Sequence, residues 1–415
     1  MRMVPDPRSG RKTKHDHAEV LMCIIAGFLS GHTGIRRSAA WCRRNEGQLK
    51  EHLHLRNGTA SVSTMSRLLC SIDEELFLYA FMEWAGELTD TRGKHLAIDG
   101  KAIRAAVRRQ KGEKTPMLLN VIETVTGIIV SQLPIDSKES EIVKIPELLR
   151  LLNIEDSVIT TDAIGTQTAI MRQIIGQGGH FVMLVKKNQP QSYEELTRQF
   201  QAFDEDLAKK RKNPSYQYQY PALEKDYDEY RSKEKNRDRY EYRRCCVSTD
   251  PECASKTHKE WPFVKTVGWI RQTRILMIRD KEGNDITPGP EQFAKTGTFR
   301  QIPSEGDKEK DTVQTVGIIS DLKLSASESA KFRRDHWSVE NRLHHVLDDS
   351  FREDRSPAKK SRNNLALIRK IAINIIRIAE IRENLRSPTT EIMDLFSDDF
   401  GLIKKYLFEG IESID

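Results

Sequence analysis

Apolar and polar positions divide the chain into a helical start, a strand-rich middle and a helical close. Ala18 to Leu29 is apolar on nearly every side and reads as a buried helix. Ile35 to Asn45 sets Arg36, Arg37, Arg43 and Arg44 among its apolar positions, and Ser61 to Leu69 begins with a Ser suited to a helix N-cap. Glu74 to Leu88 is amphipathic around Leu76, Phe77, Phe81 and Trp84. From residue 95 the period shortens. Leu96 to Asp99, Leu118 to Thr124, Ile128 to Ile135, Ser157 to Thr161 and Phe181 to Val185 read as strands, with a turn at Val125-Thr126-Gly127. Glu141 to Leu152, with Pro146 inside, and Thr166 to Ile175, closed by Gly176, read as helices between them. The order β-β-β-α-β-α-β predicts an α/β fold, a ribonuclease-H-like mixed sheet with flanking helices.

After Pro190 the pattern becomes charged and irregular to about Arg244, then strand-like at Phe263 to Ile270, Arg274 to Ile278 and Val313 to Ile319. This predicts a partly β insertion before the next helix. That helix, Asp335 to Asp354, presents Trp337, Val339, Leu343, Val346, Leu347 and Phe351 as a buried stripe. His336, Glu340 and His344 fall at i, i+4 and i+8 on another face. Leu365 to Ile381 is strongly apolar and is expected under the sheet. The resulting organisation is a helical N-terminal domain over 1–92, a core in two parts over 93–190 and 326–390, an insertion over 191–325 and a tail over 391–415.

Charge adds a partner to this outline. The net +6 is concentrated in residues 1–60, with 11 Lys and Arg against 5 Asp and Glu, and in 331–386, with 14 against 8. Two basic regions around a near-neutral middle suit a polyanion, although solvated basic faces look the same by charge alone. The six cysteines form no CxxC pair or regular framework, as expected of reduced thiols in a cytoplasmic protein. Cys245, Cys246, Cys253 and His258 are close in sequence but fit no zinc spacing. The longest apolar run, Val20 to Phe28, is far short of the ~20 residues that span a bilayer, so no membrane association is expected.

Three carboxylates stand out. Asp99 in LAIDGK and Asp162 in VITTDAIGTQ each follow an apolar strand, and the first and fourth strands of a ribonuclease-H-like sheet are neighbours. Taken alone, Asp99-Gly100 also reads as an ordinary turn. With Glu340 facing them from a helix, the two Asp residues would make a site too acidic to stand unpaired. All-oxygen ligands point to Mg²⁺ or Mn²⁺, and two such ions ~4 Å apart suit in-line displacement at a phosphodiester.

LAIDGKAIR, ITTDAIGTQ, VKKNQ, YRSKEKNRDRYEYRR, HWSVENRLH, LDDSFRED and NNLALIRKIAINII together resemble the bacterial insertion-sequence transposases of the ISAs and H-repeat-associated type, over essentially the whole chain. The resemblance implies that Asp99, Asp162 and Glu340 are the metal-binding DDE triad. It further implies DNA as partner, both as element ends and as target, a homodimer in the synaptic complex and a place at the bacterial nucleoid. Lys101, Arg104, Lys186, Asn188, Gln189, His336, Asn341, His344 and Arg355 are candidates for DNA contact or for supporting the triad. Lys359, Lys360 and Arg362 extend the basic run.

The chain departs from its relatives at His345, where they usually have Trp, and at Asp349, where they have Val. It departs again at Asn236-Arg237-Asp238, where Gly-His-Gly is expected, and at Ala60 to Thr64. The first two predict altered packing behind the Glu340 helix. The functional expectation is a transposase that cuts at element ends and transfers the 3′-hydroxyl. The alternative is a relic that binds DNA without cutting it, and a phosphoesterase of small substrates is disfavoured because it leaves the basic regions unused.

Overall fold

The computed structural model describes residues 3–8, 13–103, 116–135, 141–287, 289–290, 312–356, 358, 360–411 and 413–414. The chain divides into two compact units. Unit 1 is Met1–Ile159 with Gln177–Gly179 and Asp335–Asp415, and unit 2 is Thr160–Gly176 with His180–Arg334.

Unit 1 opens with α1 (His17–Leu29), α2 (Ile35–Arg44), α3 (Glu46–Lys50), α4 (Val62–Ser71) and α5 (Glu74–Leu88). Side-chain oxygens start three of them. Asp16 accepts from Glu19 N, Ser61 from Thr64 N, and Asp73 from Glu75 N and Leu76 N, each satisfying a backbone donor that the first turn leaves open. The strands β1 (His95–Ala102), β2 (Met117–Glu123) and β3 (Ile129–Ile135) follow as an antiparallel meander in which Asp99 pairs with Asn120. At the β2–β3 turn the Glu123 carboxylate accepts from Val125 N and Thr126 N, both at 2.8 Å, and Gly127 supplies φ +79°. Then come α6 (Glu141–Arg150) and β4 (Val158–Thr161), whose last two residues belong to unit 2.

Unit 2 continues with α7 (Thr168–Gly176), β5 (His180–Val185), α8 (Pro190–Lys212), α9 (Ala222–Lys225), β6 (Tyr227–Asn236), β7 (Arg239–Ser248), α10 (Ser255–Glu260), β8 (Thr266–Leu276) and β9 (Thr312–Ser320). The strand order is β3-β2-β1-β4-β5-β9-β8-β7-β6. Its first five members have the ribonuclease-H-like order expected from the sequence. The four strands of the 191–325 stretch extend the same hydrogen-bonded order, each antiparallel to its neighbour. β6 ends the order and alternates half-buried and exposed positions with Arg231, Lys233 and Lys235 outward, charges that discourage a further strand from pairing.

The last elements are α11 (Ala326–His336), α12 (Arg362–Arg382), α13 (Thr389–Asp398) and α14 (Phe400–Ile403). α12 packs on α1, α5 and β3. Asn374 fastens it to β3 by accepting from Ile129 N at 2.9 Å and donating to Ile129 O at 2.8 Å.

Several expectations are corrected. The stretch expected to be irregular holds the long helix α8 and the hairpin β6–β7. Ser192, Leu196, Phe200 and Phe203 supply the buried stripe of α8, and Pro190 starts it. The two strands expected over 263–278 are the single strand β8. The helix expected from Asp335 is not continuous: α11 ends at His336, a turn intervenes at Trp337, and Glu340–His344 and Val346–Ser350 are π-helical. Trp337 therefore leaves the predicted buried stripe and is 46% exposed. Its other members, Val339, Leu343, Val346, Leu347 and Phe351, are buried. His345 and Asp349 point to solvent, so these departures do not alter the packing behind Glu340.

Candidate active site

Asp99 is the fifth residue of β1 rather than its end, because the strand runs on to Ala102. The turn reading of Asp99-Gly100 thus fails. Gly100 leaves room for a buried neighbour: a Cβ there would stand 2.3 Å from Glu141 Oε1 and 3.0 Å from Glu141 Cδ, and Glu141, only 3% exposed, would have to shift.

Asp99, Glu340 and His344 each offer a ligand atom, and the three atoms lie within 4.8 Å of one another. His344 Nδ1 is 2.8 Å from Glu340 Oε2 and 3.8 Å from Asp99 Oδ2. The hydrogen bond to His344 is the main reason the Glu340 carboxyl is held below the usual carboxylate value, against the effect of burial and with help from the charges of His344, His345 and Lys101. His344 Nε2 is buried without a hydrogen-bond partner.

The π-helical stretch is fixed from two sides. Lys101 Nζ lies 2.7 Å from both Asp348 carboxylate oxygens. Arg342 Nη1 donates to Val125 O at 2.6 Å, while Arg342 O accepts from Arg377 Nη2 at 3.1 Å. π-Helical turns are uncommon and concentrate at functional sites. No periodicity in the sequence announces this one, or the anchoring roles of Arg342 and Asp348.

In unit 2, Asp162 follows β4 and caps a short 3₁₀ turn, accepting from Ala163 N at 2.7 Å. Lys186 Nζ lies 2.8 Å from the same oxygen. Asn188 donates to Ala163 O at 2.9 Å, and Gln189 donates to Ala163 O at 3.2 Å and Thr166 O at 2.8 Å.

Two family models match the chain: DDE_Tnp_1-associated over residues 1–85 and the transposase DDE domain over residues 90–376. The chain belongs to the DDE transposase family. Among its relatives, the "H repeat-associated putative transposase YhhI" of Escherichia coli K12 is 29% identical over 90% of this chain and 88% of its own length. An "Uncharacterized protein in dhlA 3'region" of Xanthobacter autotrophicus is 32% identical over 66% of this chain and 87% of its own length. A piggyBac transposase synaptic complex with hairpin DNA is similar over 98% of this chain and 75% of its own, at TM-score 0.42 and 10% identity.

DDE transposases use divalent metal, and the cluster fits one chemically: two carboxylates and an imidazole converge within 4.8 Å, and the oxygen donors suit Mg²⁺ or Mn²⁺. His344, expected only to support the triad, is itself a candidate ligand. Lys101 is not free to grip phosphate, being 7% exposed and paired with Asp348. Asn188 and Gln189 brace the loop after Asp162 rather than projecting freely. His336 is buried at the end of α11, whereas Asn341, Arg355 and Lys360 are exposed. Arg104 and Lys359 lie outside the described residues. Cys245 and Cys246 are buried free thiols, and among the described residues no group other than Asp99, Glu340 and His344 has a metal-holding arrangement. No helix among them is long and apolar enough to cross a membrane.

Proposed function

We propose that this transposase cleaves DNA at the ends of an insertion sequence and joins the freed 3′-hydroxyl to target DNA. Asp99, Asp162 and Glu340 are its catalytic carboxylates, and two Mg²⁺ or Mn²⁺ ions its cofactor. The observation that carries this reading is the meeting of Asp99, Glu340 and His344 within 4.8 Å in a chain of this family. Asp162 is assigned as the third carboxylate from the sequence resemblance and from its place at the end of β4.

Divalent cations in such a site activate an attacking water or hydroxyl and offset charge on the leaving oxygen. The protein's part is positioning. His344 keeps the Glu340 carboxylate ionised and oriented through Nδ1. The Lys101–Asp348 pair ties β1 to the π-helical stretch, so that Asp99 and Glu340 keep their spacing. Lys186, 42% exposed at its side chain, neutralises Asp162 and contacts the DNA. Asn188 and Gln189 hold the Asp162 loop, and His336 supports the approach to the Glu340 segment. Asn341 and Arg355 face the DNA.

Residues 1–92 contact DNA as a helical domain, 191–325 form the insertion between the two parts of the core, and 391–415 are a tail. Two copies act together on paired ends, in the cytoplasm at the nucleoid. The test is metal-dependent nicking and joining of DNA from the flanks of the coding region. Asp99→Ala, Asp162→Ala and Glu340→Ala should each abolish both reactions while retaining DNA binding, and activity persisting in all three would sink the assignment.

A further inference from the structure

Two basic segments, one from the first helices and one following the Glu340 stretch, take no part in the acidic cluster. Both line a single pocket in unit 1, with a volume of about 910 Å³. Its cations are Arg36 and Arg37 in the first turn of α2, Arg352, Arg355 and Lys360 beyond the π-helical stretch, and Arg369 of α12. Among the described residues, no Asp or Glu lines it. Five of the six cations are exposed. Arg369 is different: it is 3% exposed, donates through Nη1 to Glu353 Oε1 at 3.2 Å, and has its Nε buried without a hydrogen-bond partner.

The start of α2 adds backbone donors to the same wall. Its N-cap, Gly34, makes no side-chain cap and the first turn holds no acidic residue, so the helix N-terminus presents open N–H groups and partial positive charge. Apolar Ile35, Val62, Phe351 and Leu365 complete the lining, and against such walls an anion is poorly screened and attracted more strongly. Arg352 has φ +51°, a left-handed conformation costly for a residue with a Cβ and often retained for function.

We propose that this pocket grips backbone phosphates of the DNA substrate. It joins the amino-terminal helices and the segment after Glu340 in one DNA contact. The inference rests on the transposase reading, and it adds a phosphate site made by residues far apart in sequence.

The test measures anisotropy of a fluorescein-labelled duplex from the flanks of the coding region, with the full chain, in EDTA and across a KCl series. The variants are Arg36→Gln/Arg37→Gln and Arg352→Gln/Arg355→Gln, with Arg211→Gln/Lys212→Gln, at the exposed end of α8, as control. Each pocket variant should keep its thermal midpoint, bind at least about tenfold more weakly, and reduce the salt slope by about 0.9 for each phosphate it no longer neutralises. The control should change neither. Wild-type affinity and slope in both pocket variants, with normal binding and nicking by the parent protein, would overturn the pocket and leave the transposase reading standing. A parent protein that neither binds nor nicks would overturn both. Stabilisation by inorganic phosphate that the pocket variants abolish, with their DNA affinity unchanged, would mark a small-anion site and also overturn the proposal.

Discussion

Lys370 lies at the centre of α12 with no exposed surface, its ammonium hydrogen-bonded to Gln132 Oε1. Burial pushes its pKa down from 10.5 to about 7, opposed by the nearby Glu353 carboxylate. The unfolded chain therefore holds a proton that the native protein lacks between pH 7 and 10.5, and stability must rise with pH across that window, by about 1.4 kcal/mol per pH unit from this group. Below pH 7 the native state keeps the buried charge, at a cost of about 5 kcal/mol relative to an unperturbed lysine. Lys370→Met removes that cost but leaves Gln132 Oε1 without its donor, a loss of about 1–3 kcal/mol. The variant should thus be more stable than the parent by about 2–4 kcal/mol near pH 6, with the advantage fading to about zero near pH 9. Urea denaturation of both proteins followed by circular dichroism at several pH values gives the difference directly. A difference that stays constant from pH 6 to pH 9 would show that Lys370 keeps its proton in the native protein across that range.

Three further outcomes follow from particular contacts. Gly100→Ala forces a Cβ against the buried Glu141 carboxylate beside Asp99 and should cost about 1–3 kcal/mol of stability together with much of the nicking activity; unchanged melting and nicking would show that Glu141 moves aside freely. Arg237, exposed at the tip of the β6–β7 hairpin, has φ +55°, so Arg237→Gly should stabilise unit 2 by about 1 kcal/mol, and a lower unfolding midpoint in urea would contradict this. His344→Ala should reduce nicking about 10–100-fold without weakening DNA binding, and full activity would reduce His344 to packing.

The helices α1, α2, α4 and α5 and the strands β1 to β5 are legible in the sequence because their apolar positions repeat at the period of the element, and Asp16, Ser61 and Asp73 stand as caps before α1, α4 and α5; the five residues of α3 are too few to show a period. α8 is hidden by its charge: Leu196, Phe200 and Phe203 keep helical spacing, but Lys209 to Lys212 and the surrounding acids obscure it. β6 and β7 are hidden because an edge hairpin can place charges on both strands and still pair through its backbone. Asp99 and Glu340 stand out as chemistry-bearing residues from their local settings, while the π-helical turns that bring His344 between them depend on tertiary anchors, the Lys101–Asp348 pair and the Arg342 bond to Val125 O. Such anchors join residues too far apart in sequence for a local pattern to reveal. The outward turn of Trp337 is hidden for the same reason, since it follows from the break in the helix.

Whether the acidic cluster holds a divalent cation for DNA cleavage is read by a Mn²⁺ titration of the full chain followed by electron paramagnetic resonance. The parent protein should remove free Mn²⁺ from solution, and Asp99→Asn and Glu340→Gln should each weaken that binding at least about tenfold while keeping their fold by circular dichroism. Equal Mn²⁺ binding by the parent and both variants would mean that Asp99 and Glu340 hold no cation.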